Sequence, residues 1–446
     1  MKHWIKWGLA AAAAAGLGMA QGWTLEAAAT PYKGSKVSLV TVAWPDAIRA
    51  LAADFTRRTG IEVEVTQIPG SQILEKTLLE LRNRGTAFDL YTATYKRPYT
   101  QARVTLSLNG FLADPKLADP TWNPNDFVRY SQFATDPDSP KQIVGIPFGA
   151  SGMAMFVRKD LFANPAYRAA FRARYGRELE APKTWKELEQ TAAFFSEADF
   201  KSFSGAKGVG IAMQLTRSGD GLMWWYALAS GGLALEGDKT RISALLDKQN
   251  RMAAERYSQP ALELIQRLSK FAQPAALQAD DTAARELFLG GGAAIVLTWD
   301  SFLGRLDSGQ IAGRWELSPI PSRTLLGGWA LHLNPNSKNQ QAAFLLAQFL
   351  SSKESDLKMF ELAGRYPARA SSYNSATYRK VNPFGDIFAL SKSGGIAQWD
   401  SIASTQFNAT VAEKLSLMLA GQLTPGGANE GLKTAIARVL EDAGLR

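Results

Sequence analysis

Between Ser35 and Tyr95 the apolar residues switch repeatedly between strand and helix spacing, and this alternation constrains the fold more than any other feature of the chain. Val37, Leu39, Val40 and Val42 make a short apolar strand. Pro45-Asp46 then opens a helix in which Ile48, Leu51, Ala52 and Phe55 recur on one face, and Gly60 ends it. A second strand follows at once, with Ile61, Val63 and Val65 alternating with Glu62, Glu64 and Thr66. Ser71 to Asn83 returns to helical spacing through Ile73, Thr77, Leu78 and Leu81, and Phe88 to Ala93 reads as a third strand. Strand, helix, strand, helix, strand predicts right-handed crossovers onto a mainly parallel sheet, whose ligands sit beyond the carboxyl ends of the strands. Trp44 and Tyr95 fall just past two such ends.

A chain of 446 residues exceeds what one core supports, so two or more domains are expected. The middle reads as a second unit. Val144 to Phe148 and Gly152 to Val157 are two short strands, the second closed by Arg158-Lys159-Asp160. Thr184 and Glu187 form a capping box ahead of a helix through Leu188, Ala192 and Phe195. Thr282 to Leu289 is a helix, Gly290-Gly291-Gly292 follows, and Ala293 to Thr298 is a strand ending in Trp299-Asp300. No Lys-Ser or Lys-Thr comes after the three glycines, and a strand does. They read as a helix C-cap and not as a phosphate cradle. Asn164 to Glu180, rich in Arg and Tyr, reads as a surface helix.

The chemistry available points to gripping a ligand. Trp44, Trp122, Trp185, Trp224, Trp225, Trp299, Trp315, Trp329 and Trp399 offer flat apolar faces suited to the CH face of a sugar ring. His332 is the only histidine after His3, and there is no cysteine. Lys2 and Lys6, the apolar run from Gly8 to Ala15 and the small residues after it read as a secretory leader, residues 1–29, cleaved after Ala20 or after Ala29. Later apolar stretches fall short of the roughly 20 residues of a membrane span, and no cysteine is present for a lipid anchor, so a periplasmic location is expected. The net charge of +9 is modest and its Lys and Arg are spread along the chain, so nucleic acid is not an expected partner.

The order of motifs resembles the large sugar-binding family of extracellular solute-binding proteins that serve ABC importers, which includes maltose-binding protein. The similarity rests on Asp54-Phe55, on Thr59-Gly60-Ile61-Glu62-Val63, and on Gly85-Thr86-Ala87-Phe88-Asp89-Leu90, where the family usually has a proline before the aspartate. It continues through Gly145-Ile146-Pro147-Phe148, Phe156 to Leu161 and Pro182-Lys183-Thr184-Trp185-Lys186-Glu187-Leu188. It closes with Gly291-Gly292-Ala293-Ala294-Ile295 before Trp299, Gly327-Gly328-Trp329-Ala330-Leu331, Ser337-Lys338-Asn339 and Arg365-Tyr366-Pro367-Ala368.

The resemblance implies an α/β, two-lobed periplasmic-binding-protein fold with the ligand in a cleft between lobes. The N-terminal lobe would hold residues 30–147 and 325–364, and the C-terminal lobe residues 148–324 and 365–446, with crossings near Pro147, Pro321 and Gly364. It also implies a monomer that closes on a sugar, polyol or small glycoside and delivers it to the permease subunits of an ABC importer, without cofactor or metal.

Trp44, Tyr95, Trp299, Asp300, Trp329 and Arg365 are the candidate ligand residues, with Trp224 or Trp225 adding a stacking face. Asp300 suits a pair of sugar hydroxyls, or else caps a following helix. Arg365 suits a polar contact or a helix carboxyl end, and keeps a phosphorylated or acidic solute open. Trp224 and Trp225 are adjacent on a helix, so one of them belongs to the core. The rival from another class is a secreted glycan-degrading enzyme, which needs two carboxylates roughly 5 to 9.5 Å apart. Asp280-Asp281 is the densest acidic pair and reads instead as the start of a helix. No catalytic residue is expected.

Overall fold

The computed structural model describes residues 22–94, 96–128, 133–217, 220–235, 255–306, 309–322, 324–381, 396–397, 400–401 and 403–445. The leader's charged and apolar segments and Tyr95 lie outside the described residues. The strands in chain order are β1 (Lys36–Thr41), β2 (Glu62–Gln67), β3 (Leu90–Ala93), β4 (Ile146–Arg158), β5 (Val209–Ala212), β6 (Ala293–Trp299), β7 (Trp315–Ser318), β8 (Leu325–Leu333) and β9 (Ile396–Ala397). The chain forms two compact units. The first takes the chain up to Ala93, Arg103–Phe148 and Trp329–Asp356; the second takes Thr94–Ala102, Gly149–Gly328 and Leu357–Arg446. Thr94–Ala102 belongs to the second unit although it lies within a stretch that the sequence assigns to the N-terminal lobe.

In the first unit β1 pairs in parallel with β2 and with β3, as the strand-helix alternation predicts, and β3 pairs antiparallel with β8 from Leu90↔Leu333 to Ala93↔Ala330. The helix Pro45–Thr59 buries Ile48, Leu51, Ala52 and Phe55, the stripe read from the sequence, and ends at Gly60 with φ 72°. Phe55 meets Phe349 of the helix Gln340–Leu350 at 5.4 Å between ring centroids. Asp89 binds distant segments together. Its Oδ2 accepts from the Ser38 amide at 2.8 Å, and its Oδ1 accepts from Ser337 Oγ at 2.5 Å and Asn339 Nδ2 at 3.3 Å. The Phe88-Asp89 and Ser337-Lys338-Asn339 fragments thus meet in one hydrogen-bonded knot. His332 is a packing residue, 1% exposed, hydrogen-bonded through Nδ1 to the Val144 carbonyl at 2.8 Å.

In the second unit β6 is flanked by antiparallel β4 and parallel β5, while β7 pairs with β4 and β9 with β8. The two short strands expected at Val144–Phe148 and Gly152–Val157 are one strand, β4, continuous through Pro147 and Gly149. Gly152 makes room for a neighbour, since a Cβ there would sit 2.7 Å from Thr324 Cγ2, while a Cβ on Gly149 would only touch Arg365 Cδ at 3.4 Å. The core is completed by the helices Asp220–Leu235, Glu255–Ser269, Ser404–Leu419 and Pro425–Asp442.

Local readings from the sequence are met. Thr184 Oγ1 accepts from the Glu187 amide at 3.1 Å, and Glu187 returns the bond to Lys183, one residue earlier than a standard capping box. Gly290 is the C-cap of the helix Asp281–Leu289, and Gly291, at φ 73°, turns the chain into β6. Asp280 accepts from the Ala283 amide at 2.8 Å as the N-cap, and Asp281 pairs with Arg285 at 2.6 Å, which accounts for the acidic pair. Pro165–Tyr175 is a surface helix that buries Phe171 and ends at Gly176. No helix among the described residues is long and apolar enough to cross a membrane.

Candidate functional site

In the first unit the aromatic candidates collect where the parallel strands end. Trp44 follows the end of β1 by three residues, is half-buried, and holds a left-handed conformation at φ 56°. A bulky side chain disfavours that region by about 1–2 kcal/mol. Two positions meet in the residue: it is the N-cap of the helix Pro45–Thr59, and it follows the carboxyl end of β1. Trp329 adjoins Ala330, which pairs with Ala93 at the end of β3, so it stands at the same edge and is also half-buried. This is the edge at which open α/β sheets bind their ligands.

In the second unit Trp299 closes β6 and is half-buried. Its ring lies over Gly327, where a Cβ would come within 2.8 Å of the indole Cζ3. The two glycines before Trp329 therefore have separate tasks. Gly327 admits the Trp299 ring, and Gly328 takes φ 142°.

Asp300 is fully buried, with Oδ1 accepting from Ser151 Oγ at 2.9 Å and Oδ2 from the Gly152 amide at 2.9 Å. It braces β4 and does not cap a helix. Arg365 is fully buried against Gly149, beside Tyr366. The Tyr366 hydroxyl is held well above its usual pKa by burial first, then by Tyr378, Asp300 and Tyr373.

The expectation that Trp224 or Trp225 offers a stacking face is corrected. Both are 0% exposed within the hydrophobic core of the second unit, and Trp225 Nε1 donates to Ser258 Oγ at 3.0 Å. The helix Asp220–Leu235 is apolar on most of its faces, so adjacent positions both point into protein.

One group escaped the sequence reading. Asp400 accepts the Arg97 amide on Oδ1 at 3.1 Å and the Lys96 amide on Oδ2 at 3.3 Å. The residue is only partly covered, but its carboxylate is turned between these amides. Desolvation raises its pKa to about 6 against the opposing pull of the two amides and the Lys96 and Arg97 charges. The signal in the sequence was the dipeptide Trp399-Asp400, a second copy of Trp299-Asp300. Among the described residues no group of three or more His, Asp or Glu side chains converges to hold a metal.

Comparison with known proteins places this chain. The sequence model of a family described as bacterial extracellular solute-binding protein matches residues 50–382. The chain belongs to that family. A relative in Sinorhizobium fredii, named a probable amino-acid ABC transporter periplasmic-binding protein, is 24% identical over 454 residues, covering 98% of this chain and 97% of its own. Maltose-bound MalE3 of T. maritima has a TM-score of 0.74 at 19% identity, covering 91% of this chain and 100% of the other. An ABC transporter solute-binding protein of Agrobacterium radiobacter K84 in complex with ribitol has a TM-score of 0.74 at 19% identity, covering 92% and 99%. The fold is that of the MalE-like periplasmic binding proteins, as the motif order implied.

Proposed function

We propose that the chain is the solute-capturing component of an ABC importer, which takes a sugar, polyol or small glycoside and hands it to permease subunits without covalent chemistry. The observation that carries this reading is the strained, half-buried Trp44 at the carboxyl edge of the first unit's sheet. Backbone strain at such a place is kept where a side chain must be held in position. Trp329 and Trp299 supply further stacking faces, and hydrogen bonds to hydroxyls set specificity. The maltose and ribitol of the two structural relatives support this solute class. Two competing solutes have specific support: an amino acid, from the name of the Sinorhizobium relative, and a phosphorylated or acidic solute, from the buried Arg365.

Titration of the purified protein by intrinsic tryptophan fluorescence and calorimetry separates these readings. The panel contains mono- and disaccharides, polyols, glycosides, sugar phosphates and amino acids. Saturable binding of a neutral polyhydroxyl solute is the expected result; saturable binding of amino acids or sugar phosphates alone would overturn it.

The protein is proposed to act as a monomer outside the cytoplasm, with its leader removed after Ala20. The helix Leu25–Ala29 buries Leu25, Ala28 and Ala29, and Glu26 bridges Arg58 at 2.7 Å, so cleavage after Ala29 would strip a packed element. The intact mass of the exported protein should correspond to a chain starting at Gln21.

A further inference from the structure

A glycine inside a strand weakens it, so its place there needs a reason nearby. Gly327 lies in β8, and of the two glycines before Trp329 only Gly328 takes a positive φ. Backbone conformation therefore does not call for glycine at this position. Its surroundings do. The three heavy atoms nearest to a Cβ built on Gly327 all belong to one side chain: Cζ3, Cη2 and Cε3 of Trp299, at 2.8, 3.2 and 3.5 Å. Trp299 closes β6, and β4 stands between β6 and β8, so the indole reaches across one strand and rests on Gly327. Both residues belong to the second unit.

We propose that Gly327 is a positioning residue for solute capture: it sets how deep the Trp299 indole lies on the sheet, and through that ring the stacking face offered to the solute. This rests on the proposed reading of Trp299 as a stacking face. Carbon atoms in contact sit about 3.5–4.0 Å apart, so Gly327→Ala forces ring and strand apart by roughly 1 Å. The strand is backbone paired within a sheet, whereas the indole is half-buried and turns about its side-chain bonds. The ring is what yields, toward its exposed side. A stacking face lifted by that much loses its fit to the flat side of a solute, a loss of roughly three- to tenfold in affinity.

The test uses the full-length mature protein carrying tryptophan fluorinated at Cζ2, away from the atoms nearest Gly327. The Trp299 resonance is the one missing from Trp299→Leu. In Gly327→Ala its shift between H2O and D2O, which reads the exposure of the ring, should increase while the other tryptophan resonances keep theirs. An unchanged value would overturn the inference. Thermal denaturation gives a second reading. Gly327→Ala should lower the melting midpoint when Trp299 is present and should not lower it in the Trp299→Leu background, where alanine at an ordinary φ restricts the unfolded chain. Equal losses in the two backgrounds would mean that the glycine answers to another neighbour, and would overturn it as well. If Gly327→Ala alone does not fold, its recovery in the Trp299→Leu background decides.

Affinity for maltose and ribitol, the solutes of the two structural relatives, separates this inference from the reading beneath it. Weaker binding by both Trp299→Leu and Gly327→Ala is expected. Weaker binding by Trp299→Leu alone would overturn the role of Gly327, and unchanged binding by Trp299→Leu would remove Trp299 from the site and the inference with it. A native protein that binds neither solute would count against the sugar reading, while the fluorine shift and the denaturation cycle still decide what places the ring.

Discussion

Trp44 and Trp225 are residues of the same type under opposite demands. Trp225 is packed on every side and hydrogen-bonded to Ser258, so Trp225→Ala should cost about 3–5 kcal/mol in chemical denaturation. Trp44 is half-buried at a left-handed position, where glycine meets no penalty. Trp44→Ala and Trp44→Gly should lose solute affinity alike, by tenfold or more, with the glycine variant about 1 kcal/mol more stable than the alanine variant. Equal stabilities would mean that the backbone relaxes when the indole is removed. Trp329→Ala should also weaken binding while leaving the fold intact, and unchanged affinity in a folded variant would remove it from the site. Residue type marked these positions in the sequence, but burial did not. Trp224 and Trp299 look alike there, and only packing tells the 0% exposed indole from the half-buried one. Asp400 was not legible for a similar reason, since its partners are backbone amides some three hundred positions away and backbone leaves no mark in side-chain spacing.

At the scale of elements, sequence periodicity was sufficient wherever an element has one wet face. The helix Pro45–Thr59 buries the stripe its spacing predicts, and the helix Trp185–Glu197 begins at its capping box. It failed at β4, which is buried nearly throughout and therefore carries no alternation. Gly152 carries no sign of its role in the sequence, because the side chain that needs its space, Thr324, is remote along the chain. The same logic applies to Gly210 in β5, where a Cβ would lie 1.8 Å from the Ala192 carbonyl oxygen of the helix Trp185–Glu197. Rigid backbone cannot yield as a side chain can, so Gly210→Ala should separate helix from strand and cost several kcal/mol, on the order of an overpacked core site. Gly176→Ala, at an exposed C-cap with open space around it, should cost only about 1 kcal/mol through its φ of 68°. Thermal denaturation of the two variants side by side checks the difference, and a Gly210→Ala protein as stable as Gly176→Ala would refute the close contact.

For the whole molecule, the motif order made the family and its fold legible, whereas the division into units was less so. The excursion Thr94–Ala102 has no compositional boundary, and the bonds that the Lys96 and Arg97 amides donate to the Asp400 carboxylate join positions some three hundred residues apart. That carboxylate also gives the protein an unusual term in its pH profile. Glu26 is held below the usual carboxylate range by its hydrogen bond to Arg58, and Glu178 and Glu197 by theirs to Arg172 and Arg174. What these three contribute is present above the unfolded carboxylate value and lost as pH falls through their folded values. Asp400 has the opposite sign. Its pKa is raised from 3.8 to about 6, so its contribution is full below pH 3.8 and is lost as pH rises through 6, with an upper bound of about 3 kcal/mol. Asp400→Asn removes this second, pH-dependent term and also gives up one of the two amide hydrogen bonds, a loss that does not vary with pH. Plotted against pH, the stability of the native protein relative to the Asn variant should fall from pH 4 to pH 7 and then level off, while below pH 4 both proteins lose stability together as the bridged glutamates take up protons. Denaturant titrations at intervals across this range read the difference directly. A relative stability that is flat, or that rises with pH, would mean that the two amides outweigh desolvation and that the carboxylate is stabilised in its charged form.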